Sequence, residues 1–103
     1  MTENEFNELA DAVFQRIEHA IDTGNADMDY DSNGSLLEIE FADGNKIVVN
    51  RHVPNREIWL AARSGGFHYA FQDGRWFSQR DGSELYARLG ELVQQGSGIR
   101  LDI

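Results

Sequence analysis

The apolar residues of this chain change their spacing twice, and those two changes decide what it can fold into. From residue 3 to residue 22 they recur at three- and four-residue steps, as Phe6, Leu9, Ala10, Val13, Phe14, Ile17, Ala20 and Ile21. Such a stripe is the core-facing side of an amphipathic helix. From Ala26 the step becomes two, which puts Ala26, Met28 and Tyr30 on one side of a strand and Asp27, Asp29 and Asp31 on the other. Alternation persists through several segments until Leu85, Leu89, Leu92 and Val93 restore the helical step. Alternating strands have one apolar side only, so both helices must cover the same face of one antiparallel sheet. The expected fold is α+β: a two-layer α-β sandwich in the order α-β-β-β-β-β-β-α, one domain over residues 1–103.

Turn and cap residues set the expected boundaries. Thr2 and Glu5 suit a capping box, and Gly24 suits the left-handed position that ends a helix. Asn33-Gly34 predicts a type I′ hairpin turn, followed by Leu37, Ile39 and Phe41 alternating with Glu38 and Glu40. Asp43-Gly44 marks the next turn, before a strand over Lys46–Asn50, and Pro54 belongs to a loop. Further strands are expected at Glu57–Ala62, Phe67–Phe71 and, after Asp73-Gly74, at Arg75–Gln79. The second helix should begin near Asp81–Ser83, with Glu84 placed for a capping box, and stop at Gly96. The tail from Ile99 to Ile103 alternates and suits an extended segment.

Charge is distributed as unevenly as hydrophobicity is regular. Twelve of the eighteen carboxylates lie in the first 45 residues, where Arg16 is the only base, so that segment carries −11. Residues 46–103, with eight bases against six acids, carry +2. An anionic pole attracts cations or a basic partner and repels nucleic acid. The acids also fall in register: Glu8, Asp11, Glu18 and Asp22 share the polar face of the first helix, and Asp27, Asp29 and Asp31 share one strand face. Consecutive in sequence, the two rows should form one acidic ridge. It can be a solvated surface, a cation site or a docking surface for a basic protein patch. Carboxylates without cysteine suit hard ions such as Ca²⁺, Mg²⁺, Mn²⁺ or oxygen-preferring iron, and His19, beside Glu18 and Asp22, would add one nitrogen. An EF-hand reading of Asp27, Asp29, Asp31 and Glu38 fails, because Ser32 stands where that loop needs glycine and a strand follows instead of a helix.

Other chemistry is thin. The chain has no cysteine, hence no disulfide or thiolate metal site, and no nucleophile elbow, HExxH or phosphate loop. No apolar run approaches a membrane span, and the acidic start is unlike a signal or transit peptide, so a cytoplasmic, non-enzymatic protein is expected. His68 reads as a structural imidazole and His52 as a loop histidine. In Glu57-Ile58-Trp59-Leu60-Ala61, Trp59 is either core or stands on the sheet face away from the helices. There, flanked by Arg51 or Arg63, it would be a binding hot spot. A rival to the metal reading is an anionic interaction module that engages a basic partner without metal.

The segments Asn50-Arg51-x-x-Pro54, Trp59-Leu60-Ala61 and Gly65-Gly66-Phe67-His68-Tyr69, together with Trp76, resemble the frataxin family, specifically its bacterial CyaY branch. The likeness runs from Glu5-Phe6 to the tail. It implies the fold derived above and a protein of iron–sulfur cluster assembly that binds iron (Fe²⁺/Fe³⁺) weakly, other divalent or trivalent cations substituting. It also implies docking on the cysteine desulfurase IscS and the cluster scaffold, as a monomer that metal could assemble further. The positions matching the family's acidic ones are Glu18, Asp22, Asp27, Asp29 and Asp31, with Glu3, Glu8 and Asp11 extending the same pole. Trp59 matches the family's sheet-surface tryptophan, so Glu18, Asp22, Trp59 and Arg51 are the expected partner contacts. His19, Thr23 and Asn25 stand where bacterial relatives often carry further acids, and Glu57 replaces a common glutamine.

Overall fold

Thr2 opens the first helix as its sequence predicts. Its hydroxyl accepts from the Glu5 amide at 3.1 Å and the Glu5 carboxylate accepts from the Thr2 amide at 3.2 Å, which satisfies two donors the helix cannot use. The structure, a computed structural model, describes residues 1–24 and 28–103. Helix α1 spans Glu3–Thr23. Six strands follow, β1 (Met28–Ser32), β2 (Leu36–Phe41), β3 (Lys46–His52), β4 (Glu57–Ala62), β5 (Gly65–Gln72) and β6 (Arg75–Phe77), and then helix α2 (Leu85–Ser97). The strands pair antiparallel in chain order, β1 to β6, as one sheet.

Both helices lie on one face of that sheet, as one-sided strands require. Phe6, Val13 and Ile17 from α1 and Leu85, Leu89 and Val93 from α2 meet Leu37, Ile39, Ile47, Val49, Ile58, Leu60 and Tyr69, all essentially removed from solvent. Truncating one of these aliphatics to alanine would cost about 2–5 kcal/mol, since a packed interior relaxes only partly around a hole. Tyr69 is tolerated there because its hydroxyl meets Ser83 Oγ at 3.1 Å.

Element identity follows the sequence, but several boundaries move. Gly24 is not left-handed: with φ −87° and ψ −177° it leaves α1 extended, its amide donating to the Ile21 carbonyl at 3.3 Å. Gly96 does not end α2. It stays in the helix, and a Cβ there would lie 2.3 Å from Phe41 Cε2, so glycine is required for close packing. The left-handed residue is Gly98, at φ +74°. Glu84 itself is the N-cap of α2, accepting from the Tyr86 and Ala87 amides, both at 3.1 Å. The β1–β2 turn is also displaced. Only Gly34 has positive φ there (+90°), so the type I′ turn expected at Asn33-Gly34 does not form, and the register centres the loop on Gly34-Ser35. Asn33 Oδ1 instead accepts from the Ser35 and Leu36 amides. The tail after Gly98 joins no strand of the sheet, and Leu101 packs into the core. Among the described residues no helix is long and apolar enough to cross a membrane.

Candidate functional site: a carboxylate edge and an aromatic column

The shifted turn decides which acids face one another. In the observed register Asp29 lies opposite Glu40 and Asp31 opposite Glu38, so four carboxylates share the open side of β1 and β2. A turn centred on Asn33-Gly34 would have set Asp29 against Glu38. Like charges directly opposite on one sheet face repel. Lys46, on β3 opposite Glu40, partly offsets this, its ammonium 2.7 Å from Glu38 Oε1 and 3.6 Å from Glu40 Oε2. The hydrogen bond to Glu38 and the two nearby carboxylates hold its pKa above the usual lysine value. Glu38 and Glu40 lie outside the expected ligand set, although their alternation with Leu37, Ile39 and Phe41 already places them on the open face.

The helix row lies on the other side of the same edge. Tyr30, on the helix-facing side of β1, donates its hydroxyl to Asp22 Oδ2 at 3.0 Å, tying the last turn of α1 to the edge strand. That bond, with Glu18 also near, raises the phenol above its ordinary pKa. Glu18 is half-buried, whereas His19, Asp22, Asp29 and Asp31 are exposed or nearly so. The structure therefore brings Glu18, Asp22, Asp29 and Asp31 to one border of the molecule, with Glu38 and Glu40 behind them. Asp27 lies outside the described residues. Among the described residues no three His, Asp or Glu side chains gather into a cage for a metal ion. What the edge offers is a line of separate, solvated carboxylates, which can hold a hard cation through a few oxygens and water but not enclose it.

The outlying acids behave differently. Glu3 and Glu8 are exposed on the first turns of α1. Asp11 is already engaged, with Arg51 Nη2 at 2.7 Å from its Oδ1. This overturns the placement of Arg51 beside Trp59. Arg51 follows Ile47 and Val49 on the helix-facing side of β3, where its guanidinium lies over the Phe14 ring, 4.8 Å from the centroid, and reaches Asn7 and Asp11. Its side chain is only 10% exposed. Arg51 fastens α1 to the sheet, on the face opposite Trp59.

Trp59 does stand on the open face, because Ile58 and Leu60 take the core positions. It is half-buried there by two histidines that sequence pattern alone does not bring to it. His52 is no loop residue but the last residue of β3, and its ring stacks on the indole at 3.9 Å between centroids, 7° from parallel. His68, directly opposite Trp59 on β5, stacks on the other indole face at 4.1 Å and 10°. The indole N–H donates to Glu57 Oε1 at 2.9 Å. Three aromatic rings thus form one column across β3, β4 and β5. Residues so far apart in sequence meet only through strand register, which one-dimensional patterning does not supply.

The family model described as a frataxin-like domain matches residues 1–98. Proteins described as "Iron-sulfur cluster assembly protein CyaY" match nearly end to end. That of Neisseria meningitidis serogroup B is 46% identical over 103 residues, spanning all of this chain and 96% of the relative. That of Shewanella baltica is 44% identical over 105 residues, covering 98% of this chain and 96% of the relative. Among solved structures, frataxin from Psychromonas ingrahamii, of the CyaY family, superposes with a TM-score of 0.94 at 39% identity, over 99% of this chain and 97% of that one. A trimeric frataxin from the yeast Saccharomyces cerevisiae, complexed with ferrous iron, gives 0.70 at 25% identity, over 96% and 88%. With the family model matching residues 1–98, relatives 44–46% identical nearly end to end and the fold shared with a solved member, the chain belongs to the frataxin family, in its CyaY branch.

Proposed function

We propose that this protein serves iron–sulfur cluster assembly by holding ferrous or ferric iron loosely along its carboxylate edge and by docking on a cysteine desulfurase of the IscS kind. The observation that carries this reading is the line of carboxylates at Glu18, Asp22, Asp29 and Asp31, left largely without basic partners among the described residues at one border of the molecule. Asp27 and His19 belong to the same proposed set, and Glu3 and Glu8 extend it. The name borne by its relatives and the ferrous iron bound by yeast frataxin favour iron over other hard cations. Because these carboxylates are largely solvent-facing and close into no cage among the described residues, affinity should be weak and selectivity low, which suits handing iron on better than storing it. The protein then acts as donor or regulator and not as a catalyst of its own.

The same carboxylates match a basic partner surface and would speed and orient encounter, while Trp59 supplies desolvated contact. Metal and partner therefore meet on one border. A reconstituted cluster-assembly assay, run with and without this protein and with and without iron, tests the reading. The expected result is a change in cluster formation rate that depends on both. An unchanged rate under all four conditions would sink it. Paramagnetic broadening of backbone amides on adding Fe²⁺ or Mn²⁺ should concentrate at Glu18, Asp22 and Asp29–Asp31. Broadening centred on His52 or His68 would refute the edge as the metal site.

A further inference from the structure

The two histidines beside Trp59 leave neither face of the indole free. A tryptophan used as a docking anchor ordinarily offers a face or inserts into a pocket. Here His52 covers one face at 3.9 Å and His68 the other at 4.1 Å, and Glu57 holds the N–H edge at 2.9 Å. The indole cannot turn about its side-chain bonds without breaking both stacks and the hydrogen bond. What it shows to solvent is an edge, flanked by imidazoles. Two imidazoles about 4 Å either side of one ring are too far apart to chelate a single ion. Their arrangement instead suits holding the ring still. The Nδ1 atom of His52 is shut off from solvent and, among the described residues, has no hydrogen-bond partner, so stacking is the contact that fixes this ring.

We propose that His52 and His68 are positioning residues for docking, a clamp that presents Trp59 edge-on to a basic partner surface and weakens that docking when the imidazoles become protonated. The proposal rests on the desulfurase-docking reading above. Fixing the indole beforehand removes ordering cost from association, which for one large side chain amounts to about a three- to tenfold gain in affinity. Charge supplies the second part. Imidazoles change charge between about pH 5 and 8. The groups facing them from neighbouring elements are few. Glu57 on β4 lies opposite His52, and Asn50 on β3 lies opposite Trp59. Arg80 and Asp81 line the same small cleft as Glu57 and His68, and Arg56 Nη1 is bound to the Val53 carbonyl. Asp81 is already paired with Arg88 at 3.2 Å. Each proton taken up by an imidazole adds positive charge to a patch that already holds Arg56 and Arg80 beside Glu57 and Asp81, and so disfavours a basic partner.

Three variants of the intact protein, measured against the purified cysteine desulfurase from pH 8 to about 5.5, separate the possibilities. His52→Ala/His68→Ala should weaken docking about three- to tenfold at pH 8, mainly through faster dissociation. His52→Phe/His68→Phe keeps flat rings on the indole but removes the titrating groups. It should dock like the wild type at pH 8 and lose much less affinity on acidification. In the free protein, NMR should show His52 and His68 ring protons displaced upfield by the indole and relaxing towards ordinary positions in Trp59→Ala. Wild-type affinity in the alanine pair, or an unaltered pH slope in the phenylalanine pair, overturns the clamp. Undiminished docking of Trp59→Ala overturns the docking reading itself, a distinct outcome from either.

Discussion

The carboxylates at the start of α2 and those at the β1 edge have the same chemistry and opposite circumstances. Asp81 accepts from the Ser83 amide at 2.9 Å and hydroxyl at 2.7 Å and pairs with Arg88. Glu84 caps α2 through both of its oxygens. At the other border Asp29 and Asp31 face further carboxylates across the strand pair. The first set is bound into the fold by donors that need it. The second is held beside like charge with little to neutralise it. The difference separates structural acids from acids available to a ligand, a distinction that counting charges cannot make.

The largest effect that could break this comparison is on stability at α2. Glu84→Ala removes the acceptors for two amides and should cost about 0.5–2 kcal/mol. For a chain of this size each kcal/mol lowers the melting temperature by about 4–8 °C. An unchanged melting curve would mean that water replaces the cap without loss, and the contrast between the two sets would collapse. At the edge the sign should reverse. Asp29→Asn/Asp31→Asn removes two charges from repulsive cross-strand pairs and should raise the melting temperature by about a degree or two, as should millimolar divalent cation on the wild type. A fall would show that these carboxylates make native bonds worth more than their repulsion.

Acid separates the sets by pH as well. The Ser83 hydrogen bonds hold the Asp81 carboxyl below its usual pKa, and the Thr2 backbone and side chain do the same for Glu5. A carboxyl lowered by folding stabilises the native state above its unfolded pKa, near 4, and loses that contribution as pH falls through the lower folded value. Melting temperature should therefore drop below about pH 4 in the wild type, and Asp81→Asn should flatten the drop. An equally steep curve in the variant would place the acid sensitivity elsewhere.

Sequence pattern carried the fold, because periodicity is a local property: α1, all six strands and α2 stand where the apolar spacing put them. It carried the carboxylate edge for the same reason. It missed what depends on register. The pairing of Asp29 with Glu40 hinges on a turn centred one residue later than Asn33-Gly34 suggests, and the His52–Trp59–His68 column joins three strands whose alignment no single segment encodes. Arg51 is a different failure. Its alternation with Ile47 and Val49 already pointed it at the helices, but an arginine reads as a surface residue until a buried ring and a carboxylate are found to receive it.

Asp22 sits between the two sets and gives the finest test. It belongs to the proposed metal line, yet its Oδ2 accepts the Tyr30 hydroxyl at 3.0 Å. The phenol, raised by that bond, stays protonated past its ordinary value, so it remains a donor throughout the neutral range. A cation arriving at Asp22 must compete with this donor or use the remaining oxygen. Tyr30→Phe keeps the ring against the core and removes only the hydroxyl. Asp22 then joins the unsatisfied acids, and affinity for Fe²⁺ or Mn²⁺ at this end of the edge should rise about two- to threefold, the size expected for removing one solvent-exposed hydrogen bond. The melting temperature should move by about a degree at most, since the bond is exposed. Titration followed at the Asp22 and Thr23 amides measures the first effect and calorimetry the second. Reduced metal affinity would mean that the phenol oxygen is part of the binding line, making Asp22 and Tyr30 a joint site instead of a carboxylate held back by its neighbour.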